Sequence, residues 1–203
     1  MALITCEKAA FAYEGRVVVD ALDLTVERGE YLCIVGENGS GKSTLADALA
    51  ALYHTLPIRM DDFFLPPAMR TEQRLTQPGG NVHYERFREE VLAGLMRGGD
   101  AAYRRYDCQS GAWLDRVHRA APVTVIEGSY SHHPAFAEAY GALDALRIFV
   151  HTAEEERMER LRAREGERFF TFETRWIPLE KSYLEAYDIK SGADIALESQ
   201  PWA

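Results

Sequence analysis

Basic charge is in short supply in this chain: 23 Lys and Arg stand against 32 Asp and Glu, a net charge of −9. Surfaces that grip nucleic acid or anionic membranes do so through clustered Lys and Arg. The balance therefore excludes a general polyanion binder and leaves any phosphate affinity to a local device. Cysteine is scarce as well. Cys6, Cys33 and Cys108 are odd in number and show no metal or redox spacing, so neither a disulfide framework nor a thiolate metal site is expected. A reducing, cytoplasmic setting fits that usage. No run approaches the ~18 unbroken apolar residues of a membrane span, and the chain does not open on a basic segment followed by a signal-type apolar stretch. Repeats and low-complexity tracts are missing too. What is there, 203 residues with 47% apolar and 27% charged, suits a single domain, residues 1–203, with a sizeable core.

The most informative stretch is Gly36-Glu37-Asn38-Gly39-Ser40-Gly41-Lys42-Ser43-Thr44, a complete G-x-x-x-x-G-K-[ST] loop. It follows the apolar run Tyr31 to Val35 and precedes Leu45-Ala-Asp-Ala-Leu-Ala-Ala-Leu52, so the sequence predicts strand, glycine loop and helix start in the order that binds phosphate. Successive backbone N–H groups and the positive end of the helix dipole would face the β- and γ-phosphates of a nucleoside triphosphate. Lys42 would reach the same oxygens and Ser43 would ligate Mg²⁺. A glycine loop that merely turned the chain would account for the glycines but not for Lys-Ser-Thr at the helix start.

Beyond the loop, Leu56 to Met60, Val123 to Ile126 and Leu146 to Val150 are short apolar runs ending at polar residues, as buried parallel strands do. Tyr84 to Arg97 and Glu154 to Arg164 carry helical spacing. The pattern predicts an α/β P-loop NTPase. Its sheet would be doubly wound and mainly parallel, with helices on both faces and ligands at the carboxyl ends of the strands. An antiparallel β extension is expected over residues 1–30, ahead of a core over 31–203 with a lid near 157–170. At the strand ends stand Asp61, Asp62 and Glu127. Phosphoryl transfer needs Mg²⁺ to offset phosphate charge and a carboxylate to orient the attacking hydroxyl, and Asp61 and Glu127 could supply both. Asp62 serves equally well as a turn or cap residue. Most of the charges in Glu154 to Arg168 read as a solvated helix face, with one or two cations left for phosphate.

From about residue 56 to the C-terminus these residues resemble the uridine kinase and pantothenate kinase group of P-loop kinases. Asp61-Asp-Phe-Phe64 is similar to that group's Asp-x-Phe-Tyr segment, Glu127-Gly to its Glu-Gly, and Tyr103-Arg-Arg-Tyr-Asp107 to its substrate-side hairpin. The resemblance implies ATP and Mg²⁺ as cofactors and a small-molecule acceptor, a nucleoside first. Lys42, Asp61 and Arg164 would be catalytic, Asp61 as the base, with Ser43, Asp61 and Glu127 about the metal. Phe64, His83, Tyr84, Tyr106 and Arg168 would lie on the acceptor side. His83 stands where uridine kinases carry the Asp that holds the ribose hydroxyls, which sets uridine itself apart from the expected acceptors.

Residues 1–50 instead resemble the opening of an ABC transporter ATPase, in Ile4 to Tyr13, Leu22 to Glu30 and Val35 to Leu45. By that resemblance Tyr13 is a candidate platform for adenine. Packing of Phe11 and Tyr13 on one face of a strand accounts for the pair as well. The Leu-Ser-Gly-Gly-Gln signature of that family does not occur in the sequence, nor does an apolar strand ending in Asp-Glu. Two expectations therefore stand: a small-molecule kinase, or an ABC-like ATPase module coupled to a partner. A homodimer is compatible with either.

Overall fold

The computed structural model describes residues 2–13 and 15–200, with the side chains of residues 2, 3, 13 and 16 left out. Strands β1 (Ala2–Tyr13) and β2 (Arg16–Glu27) form an antiparallel hairpin. β3 (Tyr31–Gly36) follows, then α1 (Lys42–Ala51) and β4 (Ile58–Arg59). A helix over residues 84–96, widened to a π-helical stretch at Phe87–Leu92, leads to the hairpin of β5 (Ala101–Tyr106) and β6 (Trp113–His118). We label that helix α2. Then come β7 (Thr124–Glu127), α3 (Ala137–Ala142), β8 (Leu146–His151), α4 (Glu154–Glu165), α5 (Ile177–Ala186) and β9 (Ile195–Glu198).

The central sheet has the order β4-β7-β3-β8-β9, with all its pairs parallel. Alternation along each strand sends side chains to opposite faces. Leu32 and Ile34 of β3, Val125 of β7 and Ile148 and Val150 of β8 enter one core. It also takes Leu45 and Leu49 of α1 and Val19, Leu22, Leu24 and Val26 of the first hairpin. Cys33 and Val35, Ile126 and Phe149 point the other way, into a core closed by Phe87 and Val91 of α2, Tyr140 of α3 and Tyr183 of α5. The result is the expected doubly wound arrangement with an antiparallel extension.

One boundary and one helix interior differ from the sequence reading. The strand expected at Leu56 to Met60 contracts to Ile58–Arg59, because Met60 already begins the 3₁₀ turn Met60–Phe63 whose Met60 and Phe63 plug the core. The helix expected at Tyr84 to Arg97 forms, but its π-helical middle was not visible in the residue spacing.

Candidate functional site

Every loop of the site leaves the carboxyl end of the sheet. β3 delivers Gly36, and Gly41 caps α1 in the left-handed region at φ 91°, where a Cβ would stand 2.3 Å from Val18 Cγ1 of β2. Only glycine fits there. Lys42 and Ser43 therefore sit on the first turn of α1 with the N–H groups of that turn open. Beside β3 in the sheet, β7 ends on the buried Glu127. The Ser43 hydroxyl donates to Glu127 Oε1 at 2.9 Å, and Lys42 Nζ lies 3.7 Å from the same oxygen. The other carboxylate oxygen accepts from Arg59 Nη1 at 3.0 Å, while Arg59 Nη2 donates to Asp47 at 2.5 Å. Arg59 and Asp47 escaped the sequence reading. A weak signal existed for both, since Asp47 follows Ser43 by one helical turn and Arg59 immediately precedes Met60-Asp61.

The 3₁₀ turn Met60–Phe63 points its two carboxylates in different directions. Asp61 is exposed, and its charge environment is Glu127, Lys42 and Arg59, with Asp62 beside it. The protein around its carboxyl, and after it the Glu127 carboxylate, raise its pKa against the pull of the two cations. Asp62 turns to the second hairpin, where Tyr103 Oη donates to it at 3.3 Å and Arg105 Nε lies 3.4 Å away. The structure thus separates the pair that sequence left half open: Asp61 faces the loop and Asp62 ties β5 to the turn.

A cleft of about 730 Å³ opens beside the loop, lined by Gly39 to Thr44 without Ser40, by Asp47, by Ala12 and Val18 of the first hairpin, and by Arg160 and Arg164 of α4. Arg164 donates to Glu165 at 2.7 Å, and Arg168 lies 3.2 Å from Glu165 with its side chain 65% exposed. Arg160 is buried and donates to Gly39 O at 3.2 Å, to Ser199 Oγ and to Gln200 O, so it braces the loop. The Tyr13 side chain lies outside the described residues. A second cavity, about 580 Å³, lies under the opposite, amino ends of β3 and β8, away from this chemistry.

Of the residues expected on an acceptor side, the structure commits several to local contacts. His83 caps α2, its Nδ1 accepting from Arg86 N–H at 3.4 Å, and burial lowers its pKa toward the neutral ring. Tyr84 stacks on His133 at 4.2 Å between ring centroids, and Arg74 covers it at 4.2 Å and donates to its hydroxyl at 3.0 Å. Tyr106 packs on Trp113 at 5.0 Å and Phe64 faces Trp176 at 6.2 Å.

Among the described residues no three His, Cys, Asp or Glu side chains cluster to hold a metal. A Mg²⁺ here would complete its octahedron with water and nucleotide phosphate, as that ion commonly does. The hydrogen-bonded oxygens of Ser43 and Glu127 fit that arrangement.

An ABC transporter family model matches residues 19–90. The aliphatic sulfonates import ATP-binding protein SsuB 2 of Frankia alni is 30% identical over 178 residues, 80% of this chain and 68% of its own length. The chain belongs to the ABC transporter ATP-binding family. The energy-coupling factor transporter ATP-binding protein EcfA1 of Fusobacterium nucleatum is 50% identical over 50 residues, 25% of this chain. The chain spans less than two thirds of the length of most curated relatives it matches, 19% of EcfA1 among them. The fold is similar to that of a possible uridine kinase from Bacillus stearothermophilus, with a TM-score of 0.62 at 18% identity over 85% of this chain and 90% of that one. Both resemblances drawn from the sequence are thereby supported, the ABC-like front by sequence relatives and the kinase-like remainder by fold.

Proposed function

We propose that this protein of the ABC ATP-binding family is a Mg²⁺-dependent ATP phosphotransferase, moving the γ-phosphate to a hydroxyl of a small acceptor, with nucleosides the first class to test. The observation that carries this reading is Asp61: an exposed carboxylate in the field of Lys42 and Glu127, with its pKa raised. A general base works best when its pKa approaches the working pH and it can reach the proton it takes. Lys42 and the loop amides would bind the phosphates, and bound Mg²⁺ would neutralise the charge they carry. Ser43 and Glu127 would hold that ion. Asp61 would align the acceptor hydroxyl and take its proton, and Arg164 would approach the transferring group from α4. Phe64, Tyr106 and the hairpin around Tyr103 would wall the acceptor, with His83, Tyr84 and Arg168 at its rim.

Family membership favours a second reading, an ATPase module that works with a partner. Against it stands the absence of Leu-Ser-Gly-Gly-Gln from these 203 residues. Incubation with Mg²⁺-ATP and a pool of nucleosides, pantothenate and other small alcohols, followed by mass spectrometry, separates the two. A phosphorylated product is expected. ADP release that ignores the pool would overturn the kinase reading in favour of the partner-coupled one.

A further inference from the structure

Two helices grip the phosphate loop: α4, which also lines the cleft through Arg160 and Arg164, and α5. α4 presents Glu154 and Arg157 on one face by their three-residue spacing, and Arg157 donates to Glu154 Oε2 at 2.7 Å and 3.1 Å. Arg157 is wholly buried, with Nη1 3.5 Å from Glu180 Oε2 and Nε 3.7 Å from Glu37 Oε1. Glu180, on α5, is wholly buried as well. Its other oxygen accepts the backbone N–H of Asn38 at 2.9 Å, across 142 residues of sequence. Ser129, just past β7, also bonds the Glu180 carboxylate, and the charge of Lys42 faces it. Gly39 closes the contact: a Cβ there would stand 2.9 Å from Arg157 O and 3.2 Å from Leu161 Cγ. The two residues that follow Gly36, Glu37 and Asn38, are therefore held by one Arg and one Glu that belong to neither the loop nor its flanking strand and helix.

A buried carboxylate and guanidinium are costly unless each has partners, and both have them here, although burial still raises the Glu180 pKa. The arrangement fixes the direction of one peptide. The Asn38 N–H is committed to Glu180 and the Ser40 N–H to Glu37 O at 3.1 Å, so the first half of the loop is closed on itself and on α5, while Lys42 and Ser43 open the first turn of α1 onto the cleft.

We propose that Glu180 is a positioning residue for the nucleotide: by accepting the Asn38 N–H it sets the curl of the phosphate loop, and Arg157 holds Glu180 in place. Nucleotide affinity then depends on the seating of α5, and by linkage nucleotide binding stiffens α5. This holds for a kinase and for an ATPase alike, since it concerns ATP and ADP rather than the acceptor.

The test is calorimetric titration of the full chain with Mg²⁺-ADP, with folding checked by near-ultraviolet circular dichroism. Arg157→Met with Glu180→Met replaces a buried ion pair by apolar side chains of similar length, a change that buried pairs often tolerate without loss of stability. The double variant should fold and bind Mg²⁺-ADP about tenfold more weakly, the scale of one lost hydrogen bond to a charged acceptor. Glu180→Gln keeps an oxygen for the Asn38 N–H and should recover most of that loss. Binding by the folded double variant within about twofold of the parent would overturn the proposal, as would a Glu180→Gln loss equal to that of the double variant. Should the double variant not fold, hydrogen exchange of the parent decides. Mg²⁺-ADP must slow exchange across Ile177–Ala186, and unchanged exchange there sinks the idea.

Discussion

Asp61 and Asp62 are adjacent carboxylates with different work. Asp62 is tied to Tyr103 and Arg105 of the second hairpin, whereas Asp61 stands among the charges of Glu127, Lys42 and Arg59, with Asp62 beside it. Asp61→Asn keeps the shape and removes the proton acceptor. Turnover is expected to fall by about 10²–10⁴ while Mg²⁺-ADP affinity stays within a few-fold, as single-turnover kinetics and calorimetry would show. Unchanged turnover would take Asp61 out of the base role. Because the raised pKa of Asp61 delays its ionisation, the acidic limb of kcat/KM should lie above the ~4 of an ordinary carboxylate. Arg59→Met, which deletes one of the two cations pulling that pKa down, should move the limb further up. A second titration belongs to His132, whose Nε2 donates to Cys33 O at 2.9 Å and whose pKa burial lowers to about 4. The folded protein holds this ring neutral and the unfolded chain does not. Stability is therefore full above the ordinary histidine value of ~6.5 and declines as pH falls from there toward about 4. His132→Gln should flatten the fall of Tm over that window. A slope identical to the parent's would assign the acid sensitivity elsewhere.

At the scale of elements, the turn after β7 controls where Asp61 stands. Gly128 has φ 147°, and a Cβ on it would lie 2.5 Å from Met60 Cβ, at the head of the 3₁₀ turn. Gly128→Ala must therefore push that turn away or distort the end of β7. The strain should cost about 1–3 kcal/mol of stability. Turnover should fall more than nucleotide affinity, because Asp61 moves with Met60 while the phosphate loop does not. Denaturant melts together with separate KM and kcat measurements would read this, and an equal loss in both would argue that the turn is not the lever. The same region shows how far sequence reaches. β3, β7 and β8 were legible because both their faces are buried and they read as unbroken apolar runs. The loop was legible because its glycines and Lys-Ser-Thr occur in few other settings. The end of β4 was not, since Met60 is apolar whether it continues a strand or plugs a core from a turn. The partners of Glu127 were partly legible through Ser43. Arg59 and Glu180 were not, because nothing local in a sequence tells which carboxylate an arginine 68 residues earlier will meet, or that an N–H will find an acceptor 142 residues on.

For the whole molecule the question is whether the ABC-like front and the kinase-like remainder are one folding unit. One core joins them. Val19, Leu22, Leu24 and Val26 of the first hairpin are at most 5% exposed, and they share a cluster with Val123, Val125, Ile148 and Val150 from the later strands. Val18 of β2 also presses on Gly41 of the loop and accepts the N–H of Gln200 at 2.8 Å, so the hairpin touches both the site and the end of the sheet. A hairpin alone is marginal in water and buries its apolar face only against α1 and the sheet. Without it, α1 and three central strands would expose that face. Leu22→Ala tests the coupling. Burial at 2% predicts a loss of about 2–4 kcal/mol, and a single cooperative unit would register it everywhere at once. Exchange of amides in β8, in the central sheet, should accelerate by the same factor as in β1 and β2, and the melt should shift without splitting. If the two segments were separate units, the substitution would loosen β1 and β2 alone. β8 would keep its protection and Mg²⁺-ADP affinity would stay unchanged. The shared cluster argues for the first outcome, in which ATP binding and the stability of the front hairpin rise and fall together.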